Sequence, residues 1–180
     1  MADESFKRKL AAILSADVKE YSRLMSQDER GTIRTLTAYK EAMTILIQEY
    51  KGCVVDCPGD NLLAEFGSVV DAVNCAVEIQ RELAERNAEL LQARQMDFRI
   101  GINLGDVVEE EGRIYGDGVN IAARVQGLAQ AGEIWITEPL YCAKDALRAL
   151  ENAGYKPERN SVFLKGISEA TTVYRMHRNV

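Results

Sequence analysis

The sequence predicts an α+β fold: a β-α-β-β-α-β core followed by additional strands and helices. Three observations carry this. Short apolar runs alternate with two long segments of helical periodicity. A Pro58-Gly59-Asp60-Asn61 turn joins two of the runs as a hairpin. No repeat, low-complexity tract or Pro- or Ser-rich linker divides the 180 residues, a length within the usual range of one domain.

The elements follow in order. Residues 1–9 are read as a tail and 10–180 as one domain, although the first apolar run, KLAAILSADV, starts at Lys9. It closes on Asp17-Val18 and reads as a buried strand. From Asp28 to Tyr50 the pattern is helical, with Ile33, Leu36, Met43, Leu46 and Ile47 at spacings of one helix face. Gly52 is its stop signal. Cys53–Asp56 and Leu62–Phe66 form the hairpin. Ser68 caps a second helix, whose stripe is Val69, Ala72, Val73, Ala76, Ile79 and Leu83. MDFRIGINLGDVV is a strand that Gly105-Asp106 bends toward another. EEEGRIYGDG is a polar hairpin tip, GVNIAARVQGLA a short helix, GEIWIT a strand and TEPLYCAKDALRAL a helix. SVFLKG and TTVYRM read as closing strands. The first six elements are in ferredoxin-like order.

Composition narrows the function. With 47% hydrophobic residues the chain can build a core. A net charge of −6 argues against a nucleic-acid partner, because phosphate contacts need a basic footprint. No apolar run approaches the roughly 20 residues of a membrane span, and MADESFKRKL lacks the apolar middle of a signal peptide. A soluble, cytoplasmic protein with no membrane partner is expected. Cys53 and Cys57 have a C-x3-C spacing without a second pair, and His177 is the sole histidine. Zinc is not expected, and the four cysteines read as buried thiols. Chemistry must then run on carboxylates, amides and cations.

Two constellations offer it. In a ferredoxin-like sheet the first strand lies beside the hairpin, so Asp17 and Asp60 share one sheet edge. Spacing alone leaves two readings: turn and cap residues, or a pair of carboxylates around metal. Mg²⁺ favours one or two carboxylates plus phosphate oxygens, so the second reading points to a two-metal phosphoryl site. Asn120 and Arg124, four residues apart, share one helix face. They are either a solvated pair or a clamp for a ribose and a phosphate. Lys165 is a cation at a strand end. Arg99 sits inside the apolar FRIGIN and calls for a partner.

LSADVKEYS, PGDNLLAEF, FRIGINLGDV, IYGDGVNIAARV and LKG stand in this order between Leu10 and Met176. With these blocks the chain resembles the class III nucleotide cyclase catalytic domain, that of the adenylate and guanylate cyclases. The resemblance implies conversion of a purine nucleoside triphosphate to a 3′,5′-cyclic monophosphate and pyrophosphate, with two Mg²⁺ or Mn²⁺ ions per site. It implies that Asp17 and Asp60 bind metal, with the Val18 carbonyl beside them. Asn120 and Arg124 would orient the ribose and stabilise the pentavalent phosphate. Arg99 and Lys165 would hold the β- and γ-phosphates. Family sites lie between two domains, and this chain carries both halves, so a homodimer is implied.

Two positions depart from the family's pattern. ATP-using members carry Lys where this chain has Asp56, and Asp where it has Arg113. These positions read the purine. Three readings stand. Asp56 and Arg113 pair in reverse and still read a purine; GTP-using members commonly have Glu at the first position. The hairpin slips register, and Glu111, two residues before Arg113 and on the same strand face, supplies the carboxylate for ATP. Or purine binding is lost and the domain is a regulatory or dimerisation module. The family's general habit favours ATP.

Overall fold

The structure is a computed structural model and describes residues 6–178. Residues 1–5 of the expected tail, with 179 and 180, lie outside the described residues. Strand β1 (Lys7–Val18) begins inside the stretch read as tail. Its Ala12, Leu14, Ala16 and Val18 pack into the main core, while Ala11 and Ile13 pack on the opposite face. A strand covered on both faces reads as a continuous apolar run rather than an alternating one.

Helices α1 (Tyr21–Gln27) and α2 (Glu29–Glu49) meet at Asp28, whose side chain accepts from the Gly31 N–H and caps α2. The sequence signals of α1 are weak, and only Leu24 on it is buried. On α2, Leu36, Tyr39, Met43 and Ile47 face the core; Ile33 does not, at 48% exposed. Strands β2 (Cys53–Asp56) and β3 (Leu62–Phe66) form the expected hairpin. Helix α3 (Val69–Ala88) starts at Ser68, whose hydroxyl accepts from the Asp71 N–H.

Strand β4 (Phe98–Glu110) is not broken at Gly105-Asp106. It pairs antiparallel with β1 from Phe98 to Glu109. A short β5 (Arg113–Tyr115) folds back on its far end, and Ile114 is buried, so the hairpin tip is not wholly polar. Helix α4 (Asp117–Gln126) crosses the sheet face opposite α2 and α3. Strand β6 (Ile134–Thr137) runs parallel to β4. The remaining elements are α5 (Glu138–Tyr141), α6 (Lys144–Asn152), β7 (Tyr155–Val162) and β8 (Thr171–Arg178). The sheet order is β2-β3-β1-β4-β6-β8-β7, with β5 attached to β4. Its first four strands are the ferredoxin-like core.

Two C-terminal expectations are corrected. TEPLYCAKDALRAL is two helices, because Ala143 is extended (φ −77°, ψ 98°) and interrupts the run. Of SVFLKG only Ser161 and Val162 are strand: β7 ends at Val162, and Leu164 to Ile167 form a turn in which Ile167 N–H donates to Leu164 O at 3.0 Å. The strand beside β8 is the polar YKPERNSV. It is an edge strand, where polar residues and Pro157 are tolerated.

Candidate active site

The hairpin turn closes through Asn61 N–H donating to Pro58 O at 2.8 Å. Gly59 lies at φ +54° with open space where a Cβ would stand, so backbone conformation rather than room favours glycine there. Ala16 pairs with Leu62, which sets the turn beside the end of β1. Asp60 and Asp17 therefore flank one end of the sheet, and Val18 closes β1 there with its side chain buried.

Arg99 lies directly across from Asp17 on β4. Its Nε donates to Asp17 Oδ1 at 2.7 Å and its Nη2 to Oδ2 at 2.6 Å, a bidentate pair. Its Nη1 reaches the carbonyl of Gly127, just past α4, at 3.3 Å. The partner that a cation inside FRIGIN called for is Asp17. Asp60 is close enough to act electrostatically on the same guanidinium. Among the described residues no three Asp, Glu, His or Cys side chains gather to hold a metal alone. Asp17, Asp60 and the Val18 carbonyl are hard oxygen donors whose number and chemistry fit Mg²⁺ or Mn²⁺ completed by substrate oxygens.

A second group is built on α4. Two glycines let the helix lie close on the sheet. A Cβ at Gly101 would overlap the Gln126 backbone nitrogen, and one at Gly118 would stand 2.7 Å from Asp106 O. Asn103, a polar residue buried inside β4, donates from Nδ2 to Gly118 O at 3.0 Å and accepts from the Thr137 hydroxyl at 2.7 Å. At the other end of α4, Ser15 Oγ donates to Gln126 Oε1 at 3.3 Å. So held, the helix presents exposed Asn120 and half-buried Arg124 one turn apart. The Arg124 guanidinium lies against Gly166, where a Cβ would be 3.4 Å from Nη2. Lys165 adjoins that glycine and is exposed. Asn120, Arg124 and Lys165 thus form one neighbourhood, and Asp17, Asp60 and Arg99 another. Among the described residues no side-chain hydrogen bond or ion pair joins the two groups.

The departing positions behave differently from expectation. Asp56 is exposed at the end of β2, past a bulge, and its Oδ1 accepts from the Cys57 N–H at 2.9 Å. It is not a charge inside a buried strand and needs no offsetting cation. Among the described residues Asp56 and Arg113 form no ion pair; Arg113 is exposed at the start of β5. Glu111 lies at φ +51° in the turn before β5, so it does not share a strand face with Arg113. Of the four cysteines only Cys75 is buried; Cys53, Cys57 and Cys142 are exposed.

Three residues next to these groups escaped the sequence reading. Asn103 and Gln126 had a signal, polar side chains within apolar runs. Lys40 had none: it is one of many charges on α2, yet its ammonium donates to the carbonyls of Cys57 and Gly59.

Residues 7–178 match the Adenylate and Guanylate cyclase catalytic domain family. The chain belongs to this family. Over 142 residues, 78% of the cyclase chain and 24% of the other protein, it is 44% identical to a Rhizobium meliloti (strain 1021) protein named "Putative adenylate cyclase 3". The chain thus spans about a quarter of that relative's length. The crystal structure of an adenylate/guanylate cyclase/hydrolase from Silicibacter pomeroyi is similar at 30% identity and a TM-score of 0.85, covering 97% of this chain and 99% of that one. The guanylate cyclase domain from Catenaria anguillulae, in complex with GTP, shares the fold at a TM-score of 0.74 and 19% identity, covering 97% and 100%. No described helix of the cyclase chain is long and apolar enough to cross a membrane.

Proposed function

We propose that the chain is the catalytic domain of an adenylate cyclase, working as a homodimer and converting ATP to 3′,5′-cyclic AMP and pyrophosphate. The observation that carries this is the sorting of the charged groups into two sets on one chain. Asp17, Asp60 and Arg99 stand at one sheet end, and Asn120, Arg124 and Lys165 stand together on and beside α4. Two copies, head to tail, would complete each set with the other.

Asp17, Asp60 and the Val18 carbonyl would hold the two Mg²⁺ or Mn²⁺ ions. When bound, these ions lower the pKa of the 3′-hydroxyl and offset phosphate charge. The remaining work falls to the chain's own residues. Asn120 orients the ribose so that its 3′ oxygen faces the α-phosphorus. A bond forms from that oxygen to the α-phosphorus, its proton passing to solvent water, as the bond to the β-phosphate bridge oxygen breaks and pyrophosphate leaves. Arg124 meets the charge that builds on the α-phosphate oxygens. Arg99 and Lys165 bind the β- and γ-phosphates and stabilise the leaving group. No imidazole takes part: His177 lies on β8, paired with Lys156 of the edge strand.

A second reading, GTP as substrate, has its own observation. Among the described residues the exposed Asp56 carboxylate is tied only to Cys57 N–H, free to accept from guanine N1–H and N2–H₂. The name of the Rhizobium relative supports ATP. One experiment decides. The purified chain is incubated with Mn²⁺ or Mg²⁺ and either ATP or GTP, and cyclic product is scored by chromatography. Cyclic AMP as the main product supports the proposal, and cyclic GTP supports the second reading. Absence of both products under every condition overturns both and leaves a regulatory or dimerisation domain.

A further inference from the structure

The turn that carries Asp60 is short of internal restraint. Gly59 in it is conformationally free, and the turn has one backbone hydrogen bond of its own, Asn61 N–H to Pro58 O. A carboxylate that binds metal from such a turn needs its backbone held from outside. Lys40 supplies this. It lies on the fourth turn of α2, a helix capped at Asp28 and packed into the core through Leu36, Tyr39 and Met43. Its Nζ donates to Cys57 O at 3.2 Å and also to Gly59 O. The two carbonyls bracket Pro58, so one ammonium pins the chain on both sides of the proline. Among the described residues Lys40 forms no ion pair with a carboxylate, so its charge is spent on the turn.

The geometry points to Lys40 as a positioning residue for the metal site, fastening the Cys57–Gly59 backbone to α2 so that Asp60 is held ready for metal. This rests on the reading of Asp60 as a metal-binding carboxylate. Lys40 can act on a nearby cation in two ways of opposite sign. As a bare positive charge it repels metal, and its removal tightens binding. As a fastener it preorganises Asp60, and its removal weakens binding.

Mn²⁺ binding to the purified full chain without nucleotide, followed by the electron paramagnetic resonance of the free ion, tells these apart. Lys40→Met keeps the aliphatic stem and loses the donor. It should weaken Mn²⁺ binding about tenfold or more, the usual range for residues that support metal ligands. Its thermal unfolding midpoint should stay close to the parent's. Lys40→Arg, which can also reach two carbonyls, should keep most of the affinity. Lys40→Gln, too short to span both, should behave like Lys40→Met. Amide hydrogen exchange at Asn61 should speed up in the Met and Gln variants. Unchanged or tighter Mn²⁺ binding by these two variants overturns the positioning role. So does unchanged exchange at Asn61. Asp60→Asn is measured alongside. If it loses Mn²⁺ while Lys40→Met does not, only the Lys40 inference fails. If Asp60→Asn binds Mn²⁺ like the parent, the metal reading fails and takes this inference with it.

Discussion

Cys75 shows what a single environment does to a side chain. It is wholly buried on α3, and burial pushes its thiol up to about 12. Cys53, Cys57 and Cys142 are exposed. A thiol reagent such as Ellman's should therefore titrate three cysteines in the native protein and the fourth only after denaturation; four fast thiols in the native state would contradict the packing of α3. The proposed site makes a sharper prediction. Asp17→Ala or Asp60→Asn should remove nearly all cyclase activity while circular dichroism stays that of the parent. Turnover like the parent's in either variant would end the metal reading. At the purine positions, Asp56→Lys together with Arg113→Asp should raise the ATP-to-GTP ratio roughly five- to hundred-fold, from ~1–3 kcal/mol per good base contact. Because the two side chains form no ion pair, the single changes should act nearly additively. What the sequence shows at this scale depends on contrast. Arg99 stands out inside an apolar strand and announces a partner. Lys40 is a lysine on a charged helix, and its tie to Gly59 lies 19 residues along the chain, where no local pattern marks it.

Among the elements, α4 depends most on close approach. Gly101→Ala would force a methyl into the Gln126 backbone, which cannot give way as a flexible side chain can. The expected cost is about 1–3 kcal/mol of stability in denaturant unfolding, with loss of turnover as Asn120 and Arg124 shift. Helix α2 carries a pH dependence. The Gly31 N–H, then the Arg94 guanidinium, hold the Asp28 carboxyl below its ordinary value of 3.8. Its contribution is present above that pH and is lost as pH falls through the lower folded value. Asp28→Ala should lower the unfolding midpoint at neutral pH, and its gap from the parent should shrink in acid below 3.8; a gap that widens would refute the cap's electrostatic part. The elements legible in the sequence, β1, α2, the β2–β3 hairpin and α3, bury regular faces and have caps or turns of plain chemistry. Those misread lack such signals. β7 is polar because it is an edge strand, and the break between α5 and α6 is made by one extended residue, Ala143, that composition does not mark.

For the molecule as a whole, the division of the site into two sets is the testable feature. Asp60→Asn and Arg124→Ala should each be inactive. Mixed in equal amounts, with subunit exchange confirmed, they should form heterodimers with one intact site. Random pairing makes half the dimers mixed, so about a quarter of parental activity should return. A mixture as inactive as its components would show that each copy works alone or not at all.

The pairing of β1 also bears on how the chain reaches its native state. Asp17 and Arg99 are 82 residues apart in sequence, and β1 has no strand partner nearer than β3. While the chain leaves the ribosome, the run from Leu10 to Leu14 must wait with its apolar side chains and backbone unpaired. Such distant pairing makes refolding slow and leaves a sticky segment open meanwhile. A fragment ending before β4 should sediment as aggregate, whereas the full chain refolds from denaturant in milliseconds to seconds or slower. If that fragment stays monomeric and folded, β1 finds its place without β4, and assembly begins from the hairpin side alone.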